Sequence, residues 1–162
     1  MTPFIKITRF FYEEPYNLYL LLEASNDSLR SQLEFYISVG KLIELADKLE
    51  VFSGHPRAVD LWELGSERPE DRIAYYFRFR VFTRDSLGHS AIHLRFNNNQ
   101  DLPYREISEF CILVDPASIN NLGKLIREFC KLEHEVLYWE PNNGGLFTSL
   151  EEAKQAYPDR PR

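Results

Sequence analysis

Residues 71–99 read DRIAYYFRFRVFTRDSLGHSAIHLRFNNN, and the alternation inside this stretch decides the fold. The odd positions from Ile73 onward are Ile73, Tyr75, Phe77, Phe79, Val81 and Thr83, whereas the even ones include Tyr76, Arg78, Arg80, Phe82 and Arg84. Successive side chains of a strand point to opposite faces, so this pattern predicts a strand with one apolar face and one basic, aromatic face. Asp85, Ser86, Leu87 and Gly88 interrupt it with turn residues. Ile92, Leu94 and Phe96 then resume the apolar face, with His93 and Arg95 opposite. A turn that pairs Arg84 with His89 sets Arg80 across from His93 and Arg78 across from Arg95. Like charges directly opposite are unfavourable. The Arg78/Arg95 pair therefore calls for a carboxylate or a bound anion, and Glu109 on the next expected strand is the candidate supplier.

Outward from this hairpin, alternation and turn residues predict strands over 4–11, 17–25, 31–37, 59–64, 106–114 and 136–139. The strand over 106–114 is apolar on both faces at its middle, which predicts a position inside a sheet. Ser38 is placed to cap a helix running to about residue 52, with Val39, Leu42, Ile43, Ala46 and Leu49 as its buried stripe. Asp115-Pro116 opens a second helix carrying Ile119, Leu122, Leu125, Ile126 and Phe129. Residues 142–145, Asn-Asn-Gly-Gly, read as a loop, and Ser149-x-x-Glu152 as the capping box of a short last helix. The tail PDRPR reads as loose.

The chain also resembles itself. Glu34-Phe35-Tyr36-Ile37 returns as Glu109-Phe110-Cys111-Ile112, and Gly40-Lys41-Leu42-Ile43 as Gly123-Lys124-Leu125-Ile126. Lys48-Leu49 returns as Lys131-Leu132, and Val59-x-x-Trp62-Glu63 as Val136-x-x-Trp139-Glu140. The offsets are 75, 83, 83 and 77 residues, in the same order. The expectation is a single α+β domain built by internal duplication. Two β-β-β-α-β halves, residues 1–65 and 71–140, would merge into one largely antiparallel sheet with two helices on one face, followed by an extension over 141–162.

Composition narrows the function. The chain has 162 residues, a net charge of −6 and an aromatic share of 14%. Residues 1–70 hold seven basic against twelve acidic side chains, and residues 71–140 nine against ten. An acidic chain without a basic stripe argues against a nucleic-acid partner. No apolar run reaches the ~18 residues of a membrane span, and the N-terminus lacks the pattern of a signal peptide. Two cysteines, Cys111 and Cys130, suit a reducing cytoplasm better than a disulfide framework.

Motifs for chemistry are sparse. The four histidines have no metal-ligand spacing, there is no C-x-x-C, and no glycine-rich phosphate loop is present. No metal and no cofactor are expected. An enzyme on this chain would rest on His93, Cys111 and Glu109, and no nucleophile–base spacing supports one. The stronger candidate is a partner-binding surface made of Tyr36, Tyr76, Arg78, Arg80, His93, Arg95 and Glu109 on the polar sheet face. Glu44 and Asp47 on the first helix would add acidic steering, because tyrosine and arginine dominate interface hot spots and acidic groups attract basic partners.

In size, acidic charge and α+β pattern the chain resembles the small bacterial immunity proteins that neutralise a toxin encoded beside them. The resemblance implies a non-catalytic, cytoplasmic protein-binding domain that blocks a basic toxin domain. The alternative from the residues is a small-molecule or anion-binding domain using the arginine, tyrosine and histidine face.

Overall fold

The computed structural model describes residues 2–158, in which nine strands and three helices form an α+β fold. The expected loose tail lies largely outside the described residues. Two compact units can be distinguished, one built from the chain up to Val51 and again from Ala117, the other from Phe52–Pro116.

The first unit holds strands β1 (Phe4–Glu13), β2 (Asn17–Ser25) and β3 (Arg30–Ser38), then helix α1 (Val39–Glu50). The second holds β4 (Val59–Gly65), β5 (Tyr76–Thr83), β6 (Ser90–Asn97) and β7 (Ile107–Val114). The chain then returns to the first unit with α2 (Pro116–Phe129), β8 (Val136–Glu140), β9 (Asn143–Phe147) and α3 (Leu150–Ala156).

These strands make two antiparallel sheets and not the single merged sheet that the repeat pattern suggests. Their orders are β3-β2-β1-β8-β9 and β4-β5-β6-β7. The order β3-β2-β1-β8 matches β7-β6-β5-β4 when β5–β8 are set against β1–β4. In that correspondence each closing strand pairs with the opening strand of the other half. In a merged eight-stranded sheet β8 would have met β4, but that edge of β8 is taken by β9.

The hairpin register is the one the sequence predicts: Arg80 opposite His93 and Arg78 opposite Arg95. Arg84 N donates to His89 O at 2.8 Å to close the turn. The apolar sides of both sheets are core. Leu18, Leu20, Leu22 and Ala24 of β2 are at most 2% exposed, as are Phe77, Phe79, Val81, Ile92 and Leu94 of the second sheet. Each large side chain buried this completely contributes about 2 kcal/mol relative to leaving it in water.

Three local expectations are corrected. β7 is an edge strand, not an interior one, and Leu113 on it is 60% exposed. The chain leaves the sheet into α2, and β8 pairs in the other sheet, so no further strand follows β7. Residues 142–145 are not only a loop: Asn142 is in the turn, and 143–145 begin β9. Glycine usually marks a turn, but here Gly144 and Gly145 both pair with β8, and Gly144 lets β9 lie close against it. A Cβ at Gly144 would stand 2.8 Å from Tyr138 O. In α1 the buried set is Leu42, Leu45, Ala46 and Leu49, so Leu45 takes the place expected for Ile43.

α1 and α2 cross within the first unit at Gly123. Asn120 Nδ2 donates to the carbonyls of Leu49 (2.9 Å) and Glu50 (3.2 Å), satisfying the end of α1. Arg127 donates to Glu50 at 2.9 Å and also reaches Asp47.

Candidate functional site

The polar face of the second sheet is a set of cross-strand rows. One row runs Leu61, Arg80, His93, Cys111, and the next runs Glu63, Arg78, Arg95, Glu109. Beyond them lie Tyr76, Asn97 and Ile107. Six of the residues singled out from sequence, Tyr76, Arg78, Arg80, His93, Arg95 and Glu109, are thereby brought onto one face.

Their charges are largely matched to one another. Arg95 is held by Glu67 at 2.8 and 3.0 Å and by Glu109 at 3.2 Å. Glu67 also accepts from Asn97 Nδ2 at 2.6 Å. The Arg95 hydrogen bonds and, second, the amide of Asn97 hold the Glu67 carboxyl below its ordinary range against the opposing effect of burial. Glu109 is likewise lowered, first by its bond to His93 and then by the charges around it. Tyr76 donates its hydroxyl proton to Glu63 and accepts from Arg78 Nε at 2.9 Å.

His93 is 8% exposed and doubly engaged. Arg80 Nε lies 3.1 Å from its Nδ1 and Glu109 Oε2 lies 2.5 Å from its Nε2. A guanidinium only donates, so Nδ1 accepts and Nε2–H donates to the carboxylate. Both ring nitrogens are thus committed to groups other than Cys111. Burial raises the Cys111 thiol above its ordinary pKa. Arg78 and Arg80 make no salt bridge among the described residues. Each engages through Nε, and each guanidinium also lies over a neighbouring ring, Tyr76 at 5.5 Å and Phe82 at 4.5 Å.

Tyr36, Glu44 and Asp47 belong to the first unit. Glu44 stands 3.7 Å from Lys41, and Asp47 is a partner of Arg127 between the two long helices. Tyr36 instead joins a chain of rings on the outer face of the first sheet. Phe10–Tyr19 and Tyr12–Tyr36 have centroids 5.0 Å apart, and Tyr19–Tyr36 4.8 Å. Tyr19 donates to Glu34 at 2.6 Å. That bond raises the phenol's pKa, and the charge of Glu13 does the same for Tyr12.

These rings are open to solvent: Tyr36 is 54% exposed, Tyr12 48% and Phe10 37%, while Phe11 and Tyr16 near the same hairpin reach 85% and 81%. Tyr36 is among the residues that stand out in the sequence, whereas Phe10 and Tyr12 do not. The signal was the run Phe10-Phe11-Tyr12 directly before an acidic turn. Glu67 was also missed as the clamp on Arg95, and a separation of 28 residues between a connecting segment and a strand leaves no pattern to read.

Among the described residues no group of three or more histidine, cysteine, aspartate or glutamate side chains is placed to hold a metal ion, and no helix is long and apolar enough to cross a membrane. No protein-family model, curated protein or solved structure matches the chain.

Proposed function

We propose that the chain is a non-catalytic protein-binding domain that recognises a basic partner through the tyrosine–glutamate surface of its first unit. The observation that carries this reading is the ring chain Phe10–Tyr19–Tyr36–Tyr12, in which Phe10, Tyr36 and Tyr12 are exposed and Tyr19 is half-buried, bordered by Glu13 and Glu34. Monomeric proteins seldom leave so many large rings in water together without a use for them. Tyrosine brings large contact area at low entropic cost, and the acidic border attracts a cationic surface. The net charge of −6 acts in the same direction at longer range. Neutralising a basic toxin domain in the cytoplasm, as immunity proteins do, is the form of binding this surface suits.

The test is titration calorimetry against the polypeptide encoded beside this chain. Tyr36→Ala and Glu34→Lys are each expected to weaken the complex by ~30-fold, the scale of an interface hot spot, while the melting temperature stays within a few degrees. A complex indifferent to both substitutions, or no complex, sinks the reading.

A second reading has its own observation. Arg78 and Arg80 lie on one strand face, form no salt bridge among the described residues, and are engaged through Nε. This arrangement supports recognition of an anionic group by the second unit. Sulfate or phosphate that raises the melting temperature of the parent but not of Arg78→Met/Arg80→Met would favour it.

A further inference from the structure

We propose that β7 pairs antiparallel with the β7 of a second copy of this chain, about a two-fold axis at Phe110, joining the two second-unit sheets edge to edge. β7 ends the order β4-β5-β6-β7 and pairs with β6 at all eight of its residues without a bulge. Its outer edge therefore offers an unbroken row of backbone donors and acceptors. Long edges of this kind are commonly blunted by lysine, proline, a bulge or an inward-pointing charge. The sequence of β7, ISEFCILV, has no lysine or proline. Its one charged residue, Glu109, is engaged within its own sheet by His93 at 2.5 Å and Arg95 at 3.2 Å. β4, at the opposite edge, instead carries Asp60 in alternation with the buried Trp62 and Leu64.

The order of residues along this edge is complementary to itself. Ile107 stands three residues before Phe110 and Leu113 three after it, so an axis at Phe110 sets each beside the other. They are 48% and 60% exposed, and the pairing covers both. Arg105 stands five residues before Phe110 and Asp115 five after it, and both are exposed. Neither makes a salt bridge among the described residues, and Arg105 donates only to the Gln100 carbonyl at 3.3 Å. The same axis therefore brings together two apolar pairs and two pairs of opposite charge. Glu109 meets Cys111 of the other copy and keeps its own His93 and Arg95. The neighbouring registers do not match. An axis at Glu109 sets that carboxylate against its own copy, and like charges directly opposite are unfavourable. An axis at Cys111 sets Ile107 against Asp115 and Glu109 against Leu113. A shift of half a step would turn the apolar faces of the two sheets to opposite sides. This inference is independent of the ring surface of the first unit.

The test is sedimentation of the full chain over a concentration series. The expected result is a reversible monomer–dimer equilibrium, in the roughly micromolar range that suits a small interface. Leu113→Lys, which restores a guarding charge to the edge, should weaken the dimer by about tenfold or more while the melting temperature holds. Arg105→Glu and Asp115→Arg each put like charges together across the axis, so each variant alone should be monomeric where the parent is dimeric. Mixing these two variants should restore the dimer, because each altered charge then meets its opposite on the other chain. Leu113 is exposed, so its variant reports even where the change at Asp115, beside α2, lowers stability. A parent that stays monomeric at millimolar concentration, a dimer indifferent to Leu113→Lys, or folded charge-reversal variants that fail to associate on mixing would each overturn the proposal.

Discussion

Arg78 and Arg95 stand directly opposite each other on β5 and β6, and Glu67, reaching in from the segment after β4, holds one of the pair. The like-charged pair is tolerated because each guanidinium has its own partner: Tyr76 for Arg78, Glu67 and Glu109 for Arg95. Glu67→Gln removes the larger share of that compensation. It should destabilise the protein by about 1–2 kcal/mol, the scale of a charged hydrogen bond in a half-buried setting. Adding Arg95→Met to Glu67→Gln should restore part of the loss, because the repulsion leaves with the charge. Urea unfolding of the single and double variants checks this, and equal stability of all three chains would remove the clamp from the account.

The same carboxylates set how the protein responds to acid. Glu67 and Glu109 have folded-state pKa values depressed below the ordinary 4.5. A depressed carboxyl contributes stability that is present above its unfolded value and is lost as pH falls through its folded value. Stability should therefore decline as pH drops below about 4.5. Asp71 and Asp85 are depressed as well, by Ser66 and Arg68 and by His89, so the decline has several sources. The measurement that isolates the ladder is the difference between parent and Glu67→Gln/Glu109→Gln from pH 7 to pH 3. The gap should be widest near neutrality and close as pH falls. A gap constant with pH would show that the two carboxylates carry no linked protons.

Much of this arrangement can be read from residues whose pattern is local. The turn at Asp85–Gly88 and the period-two alternation fix the register that places Arg78 against Arg95, and strand spacing leads from there to Glu109. Register is legible because a slip of one residue would turn Phe77 and Phe79 out of the core. What the sequence hides is non-local. Whether β4 and β8 join one sheet or two depends on which edges are free, and Gly144 and Gly145 look like loop residues until they are seen pairing with β8. Glu67 is invisible for the same reason, since nothing in a polar connection marks which glutamate will reach an arginine. The ring cluster is intermediate: Tyr36 stands out on a strand, but its contact with Tyr12 requires knowing that β1 and β3 flank β2.

The cysteines should be poor nucleophiles. Burial raises Cys111 and pushes Cys130 up to about 11 from an ordinary 9.0. At pH 8 a shift of that size reduces the Cys130 thiolate by roughly a hundredfold, and the thiolate is the reactive form. Reaction with a disulfide reagent at pH 8 should be much slower for the folded protein than for the same chain in denaturant, with Cys130 the slower of the two. The raised pKa values also mean that these thiols favour the folded state below their unfolded pKa and lose that contribution as pH rises through the folded one. Rapid modification of Cys111 in the folded protein would contradict the geometry and reopen a catalytic reading.

Gly40 and Gly123 occupy matching places in the repeated Gly-Lys-Leu-Ile segments, yet their surroundings are opposite. A Cβ at Gly40 would have Ser38 Oγ at 3.9 Å as its nearest neighbour, which is open space for a methyl group. A Cβ at Gly123 would lie 2.7 Å from Glu50 N, 2.9 Å from Leu49 Cβ and 3.0 Å from Ala46 O. Two of these are backbone atoms of α1 or its end and cannot turn aside as a flexible side chain would. Gly40→Ala should therefore stabilise the protein by about 0.5–1 kcal/mol, since alanine restricts the unfolded chain and favours helix. Gly123→Ala should destabilise it by about 1–3 kcal/mol by forcing α1 and α2 apart. That separation would also strain the bonds from Asn120 to the end of α1 and from Arg127 to Glu50. Thermal melts of the two variants give shifts of opposite sign if the helices cross as described. Shifts of the same sign would mean that the sequence match reflects a shared packing role and that the close crossing at Gly123 is wrong.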